Sequence, residues 1–139
     1  MKASFELAAE SSLDALSRIG DFILSSTRGS GLDQRETFHL ITAVDEACTN
    51  IIKYSGSGGI ELTCDVEEGQ VAVQIRDDGV AFNPLEAPEP KLDLPLEERR
   101  VGGLGIHFIR TLMDEVRYER KGEKNVLTMI LQHRRNRSV

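Results

Sequence analysis

No stretch of the sequence approaches the roughly 18 consecutive apolar residues that a membrane-spanning helix needs. The opening residues, MKASFELAAE, lack the charged-then-apolar layout of a signal peptide, so a cytoplasmic location is expected. Cysteine is scarce. Cys48 and Cys64 stand in apolar-patterned stretches without metal-ligand spacing, which makes them small core residues and argues against a disulfide framework. His39, His107 and His133 are scattered, so a His-based metal site has little support. An excess of positive charge is missing too: the net charge of −6 argues against nucleic-acid binding. The single basic cluster, HRRNR near the C-terminus, reads as a solvated tail.

What remains is an ordinary globular composition. With 139 residues, 40% of them hydrophobic, the chain suits one domain (1–139) around one core. Residues 3–9 read as a strand with Phe5 and Leu7 on one face. Leu13, Leu16, Ile19 and Ile23 then recur at helical spacing, with Ser11 or Ser12 available as a cap. A longer helix is expected from about Asp33 to Tyr54, with Phe38, Ile41, Val44 (or Cys48) and Ile51 as its core stripe. Two alternating runs follow. Ile60, Leu62, Cys64 and Val66 face one way, EEGQ turns, and Val71, Val73 and Ile75 return as an antiparallel hairpin.

All four prolines fall between Pro84 and Pro95, so residues 84–100 read as a long surface loop of the kind that often forms an active-site lid. The run VGGLGIHFIRTLMDEV follows, with Ile106, Ile109, Leu112 and Met113 at helical spacing, and EVRYER and NVLTMILQ flank KGEK as a second hairpin. The order β-α-α-β-β-lid-α-β-β, with strands in hairpins, predicts an α+β fold: a two-layer sandwich of a mixed, mostly antiparallel sheet with helices on one face.

Several residues are candidates for chemistry. Thr42, Glu46, Asn50 and Lys53 share one face of the long helix, flanked by the small or apolar Ala43, Ala47 and Ile52. That face is either simply solvated or a ligand face. In the second case Glu46 would accept a proton, and the amide oxygen of Asn50, one turn on, would coordinate a hard cation. In DDGVAFNP, Asp77 suits a ligand donor such as an exocyclic amine, and Gly79 would admit a flat ring close to the backbone; an Asp-Gly turn is the plain alternative. Phe82 and Pro84 start the loop. The glycines at 102–105 lead into a helix N-terminus, where orphan N–H donors favour phosphate. A dinucleotide-binding turn is excluded, because a proline-rich loop and no strand precedes the glycines. A Walker-A loop is excluded because no Lys-Ser or Lys-Thr follows them.

Together AVDEACTNIIKYS, RDDGVAFNP and VGGLGIHFIRTLMDEVRYE resemble the N box and two glycine boxes of GHKL-type ATPases. The GGLGI…LMDEV run in a chain of this size is similar to anti-sigma-factor serine/threonine kinases, and the likeness covers nearly the whole chain. The resemblance implies an ATP-binding, histidine-kinase-like fold. It makes Glu46 the general base, Asn50 the Mg²⁺ ligand, Asp77 the reader of adenine and Gly79 the glycine beneath the purine. Residues 84–101 would be the ATP lid, Gly103 and Gly105 the phosphate-contacting turn, Gly102, Leu104, Ile106 and Phe82 further nucleotide-binding residues, and Thr128 a support of the adenine pocket. Lys53, Arg99 and Arg100 are candidates for offsetting phosphate charge, with solvated surface positions as the alternative. Tyr54 stands where the family often has histidine, and Val101 where the wider superfamily prefers glycine.

The implied function is phosphorylation of a serine on a STAS-type anti-anti-sigma partner, with control of a sigma factor by partner switching. A homodimer that touches neither membrane nor nucleic acid is expected. Two rivals stand beside it. One is an ATP-gated binding switch without significant kinase activity; the other is the catalytic domain of a sensor histidine kinase, for which an upstream dimerisation helix is lacking in this sequence.

Overall fold

The computed structural model describes residues 2–83 and 109–134. The expected lid, the phosphate turn from Gly102 to Ile106, Arg99 and Arg100 lie outside the described residues. The strands are β1 (Ala3–Glu10), β2 (Gly59–Glu67), β3 (Gln70–Asp77), β4 (Glu115–Lys121) and β5 (Lys124–Gln132), and the helices are α1 (Leu16–Ser26) and α2 (Gln34–Tyr54). They form one five-stranded sheet in the order β1-β2-β3-β5-β4, antiparallel at every described pairing. The helices cover one face.

Alternation dictates which side chains they cover. Ile60, Leu62, Cys64 and Val66 of β2, and Val71, Val73 and Ile75 of β3, are buried as their period-two pattern requires. Leu127, Met129 and Leu131 of β5 complete the floor, and Ile109 and Met113, within and just after the helical residues 109–112, are buried in the same cluster. Both cysteines are free and buried, and burial pushes the Cys64 thiol up to about 12.

Helix α2 starts where its first residues require. The Asp33 carboxylate accepts from the Glu36 amide at 2.8 Å, and the Glu36 carboxylate accepts from the Asp33 amide at 3.0 Å. This reciprocal capping box satisfies two of the helix's orphan donors. Glu36 does more. Its carboxylate also pairs with His133 Nδ1 at 2.7 Å and accepts from the Arg134 amide at 2.8 Å, tying the chain after β5 to the start of α2. Burial works against the charge, but these donors hold the Glu36 carboxyl below its ordinary value.

Three local expectations change. The buried stripe of α2 is Leu40, Ala43, Val44, Ala47, Cys48 and Ile51, whereas Phe38 is 66% exposed. Phe38 sits about 200° around the helix from Leu40 at roughly 100° per residue, so it cannot share that stripe. It lines a groove of about 360 Å³ with Leu24, Leu32 and Ile41. Leu13 likewise falls outside the core at 57% exposed, because residues Leu13–Ala15 form a 3-10 turn before α1 begins. Neither Ser11 nor Ser12 caps α1 through its hydroxyl: the residue before α1 is Ala15, and Ser12 contributes its carbonyl to the Ala15 amide at 3.0 Å.

Candidate active site

The C-terminal half of α2 and the end of β3 build one corner of the molecule. Helix α2 ends at Tyr54, and Gly56 takes the left-handed conformation (φ 72°) that lets the chain turn away. The Ser55 Oγ accepts from the Ser57 amide at 3.2 Å, and Ser57 Oγ donates to Asp78 Oδ1 at 2.9 Å. The Val80 amide donates to the Ser55 carbonyl at 2.8 Å. SGSGG is therefore a junction that docks the Asp77–Val80 segment onto the end of the helix.

On that junction three side chains expose an unmet need. Asn50 is 1% exposed, and both its amide oxygen and its amide nitrogen lack a partner. Glu46, one turn earlier, is half-buried with Oε1 sealed from solvent and unpartnered. Asp77 is 3% exposed: its Oδ1 accepts from the Gly79 amide at 2.9 Å, while Oδ2 is buried without a partner. A buried polar group left unpaired costs about 1–3 kcal/mol, so such atoms are rare unless a ligand completes them. Only Ser11 Oγ joins them among the described residues. The polar face of α2 is thus graded, with Thr42 and Lys53 exposed and Asn50 inside.

The electrostatics suit these residues to different tasks. Burial raises the Glu46 carboxyl above its ordinary value; the neighbouring Asp45 adds to this and Lys53 opposes it. A carboxylate so raised is a better proton acceptor near neutral pH. Asn50 presents an oxygen without charge, the donor type that a hard cation such as Mg²⁺ accepts. The unpaired amide therefore fits a metal that also binds a charged ligand.

Other expected site residues fall in different places. Phe82 begins the departing loop, its ring 5.6 Å from that of Tyr54. Lys53 is exposed one turn below Asn50. Gly79 is small for a reason inside the protein: a Cβ there would lie 2.2 Å from the Ser55 carbonyl oxygen. Thr128 lies apart from Asp77. It pairs with Gln74, whereas Asn125 pairs with Asp77, and a three-residue offset along a strand puts Thr128 on the opposite face of the sheet.

Asn125 is the residue that sequence reading missed. It is 3% exposed, and its Nδ2 donates to Asp77 Oδ1 at 3.0 Å and to the Val80 carbonyl at 2.8 Å. Its Oδ1 accepts from the Phe82 amide at 3.0 Å, from Arg120 at 3.3 Å and from the Tyr118 hydroxyl. Arg120 also donates to the Gly79 carbonyl at 2.8 Å. The signal was an amide side chain opening a strand otherwise apolar on that face. Without the β3–β5 register nothing linked it to Asp77.

Comparison with known proteins agrees with this fold. Residues 9–131 match the histidine kinase-like ATPase domain. The chain is similar to serine/threonine-protein kinase BtrW of Bordetella bronchiseptica, 32% identical over 99 residues that span 68% of this chain and 70% of the relative. It is similar to serine-protein kinase RsbW of Bacillus mycoides, 28% identical over 83% of this chain and 75% of the relative. Among solved structures, the RsbU and RsbW domains of Rv1364c from Mycobacterium tuberculosis superpose with a TM-score of 0.65 at 12% identity, covering 94% of this chain and 32% of that one. The histidine kinase AdeS of Acinetobacter baumannii has a TM-score of 0.51 at 16% identity, covering 94% of this chain and 68% of that one, and shares the fold. The chain belongs to the histidine kinase-like ATPase domain family.

Proposed function

We propose that this protein is an ATP- and Mg²⁺-dependent serine/threonine kinase and anti-sigma factor. On this reading it phosphorylates a serine on a STAS-type anti-anti-sigma partner and controls a sigma factor by partner switching, as a cytoplasmic homodimer. The observation that carries the reading is the set of buried, unpartnered atoms on Glu46, Asn50 and Asp77, three residues that suit a base, a metal ligand and a reader of an amine. Relatives named serine-protein kinase or serine/threonine-protein kinase, over most of the chain, support the reaction class.

In this mechanism Asp77 Oδ2 accepts from the exocyclic amine of adenine, which anchors the nucleotide at the end of β3. Phe82 lies beside it. The Asn50 oxygen would hold Mg²⁺, which would supply positive charge to offset that of the phosphates. Glu46 accepts the proton of the partner's serine hydroxyl as its oxygen attacks the γ-phosphorus, and ADP leaves. Phosphoryl transfer depends mainly on positioning and charge neutralisation, so a base, a metal ligand and a phosphate turn suffice. Gly102, Gly103, Leu104, Gly105 and Ile106 supply that turn in this proposal, and Lys53 adds positive charge near Glu46.

The test is phosphoryl transfer from labelled ATP to the cognate STAS protein, for the wild type and Glu46→Gln. The kinase reading expects transfer by the wild type and its loss in the variant, with ATP affinity kept. Tight ATP binding by a wild type that transfers nothing would replace it with an ATP-gated binding switch.

A further inference from the structure

Asn125 has a fixed orientation. Its oxygen faces three donors, the Phe82 amide, the Tyr118 hydroxyl and the Arg120 guanidinium, and its nitrogen faces two acceptors, Asp77 Oδ1 and the Val80 carbonyl. Turning the amide over would set oxygen against oxygen on one side and N–H against N–H on the other. The neighbours thus decide which atom meets Asp77.

The consequence falls on the carboxylate. Asp77 Oδ1 accepts from the Gly79 amide at 2.9 Å and from Asn125 at 3.0 Å. Those two donors use both of its lone-pair directions. Oδ2 is left buried and unpartnered.

We infer that Asn125 is a positioning residue that sets base selectivity, by occupying one oxygen of Asp77 so that the other is a single, directed acceptor for a 6-amino group. The inference rests on the proposed adenine site. A 6-oxo purine would bring an oxygen to that acceptor and be repelled. Without the Asn125 donor only the Gly79 amide holds Oδ1, the carboxylate is less firmly oriented, and the advantage of the 6-amino group falls. Asn125 acts through Asp77 and needs no contact with the nucleotide.

The experiment compares ATP, GTP and purine riboside triphosphate, which lacks the 6-amino group, by equilibrium binding to the wild type, Asn125→Leu and Asn125→Asp. Asn125→Asp keeps the shape and the acceptor that Tyr118, Arg120 and Phe82 use, and sets an oxygen against Asp77 Oδ1 and the Val80 carbonyl where the donor stood, so Oδ1 is repelled rather than held and the variant reports even where Asn125→Leu folds poorly. The wild type is expected to prefer ATP over purine riboside triphosphate by roughly tenfold or more, the worth of one hydrogen bond to a charged acceptor. In the variants that ratio is expected to shrink to about twofold, and the discrimination against GTP to fall with it. A purely structural role for Asn125 predicts something else: all three nucleotides weaken equally and the ratio stays, which overturns the inference. A wild type that binds none of them, or all alike, overturns the adenine site itself. The two failures are therefore distinguishable.

Discussion

Gly79 and Ser55 meet backbone to backbone. A Cβ at position 79 would lie 2.2 Å from the Ser55 carbonyl oxygen and 2.7 Å from its carbonyl carbon, and the next amide, that of Val80, donates to the same oxygen at 2.8 Å. This contact holds the segment carrying Asp77 against the end of the helix carrying Glu46 and Asn50. The obstacle is backbone, so no side chain can swing aside. Gly79→Ala is therefore expected to destabilise the protein by about 1–3 kcal/mol, in the range of overpacked sites, and to weaken ATP binding by displacing Asp77. Thermal unfolding and nucleotide titration of the same sample check both halves.

Glu46→Gln keeps the shape of the side chain and removes the proposed base. Phosphoryl transfer is expected to fall by about 10²–10⁴-fold, the range for a general base, while ATP affinity changes little. The wild-type rate should fall as pH drops through the Glu46 pKa, which burial and Asp45 place above the ordinary glutamate value of 4.5. Lys53→Met removes the charge that opposes this rise, so its pH–rate inflection is expected to move upward. An inflection that stays put would separate Lys53 from Glu46.

Asn50→Ala removes the uncharged oxygen proposed for the metal. In the wild type, Mg²⁺ is expected to tighten ATP binding and to be required for transfer; in the variant, ATP affinity should become nearly independent of Mg²⁺. Titrating ATP with and without Mg²⁺ reads this directly. A variant that keeps the full Mg²⁺ effect would remove Asn50 from the metal site.

Glu36 predicts an acid-labile joint. Its folded-state pKa is lowered by the Asp33 amide, His133 and the Arg134 amide against the opposing effect of burial, so its stabilisation is present above 4.5 and lost as pH falls through the folded value. Glu36→Gln is expected to cost about 1–3 kcal/mol at neutral pH, as for hydrogen bonds to a buried charged group. Its stability should also fall less steeply than that of the wild type as pH drops below 4.5. Denaturant unfolding at neutral and acid pH measures the difference.

The phase of α2 is testable with two residues. Phe38→Ser, at a 66% exposed position, is expected to change stability by no more than about 0.5 kcal/mol. Leu40→Ala, at a fully buried one, is expected to cost about 2–5 kcal/mol. Equal effects would contradict the observed helix face.

Much of this protein is local and so was written in its sequence. Period-two alternation predicted the buried faces of β2 and β3, and Asp33 announced the start of α2, because both signals act between residues a few positions apart. The spacing of Glu46 and Asn50, one turn apart, placed them on one helix face before any fold was known. The phase of that helix was ambiguous: Phe38 and Leu40 are both apolar, and only the position of the sheet decided which faces inward. Register was decided by pairing across the chain. Asn125 reaches Asp77, and Thr128 does not, because β5 lies beside β3 with those residues opposed, a contact between positions 48 apart. The reason Gly79 must be glycine lies at Ser55, in another element altogether. Sequence pattern named the candidate side chains; the tertiary structure chose their supports, since hydrogen bonds across a sheet join residues that no local period connects.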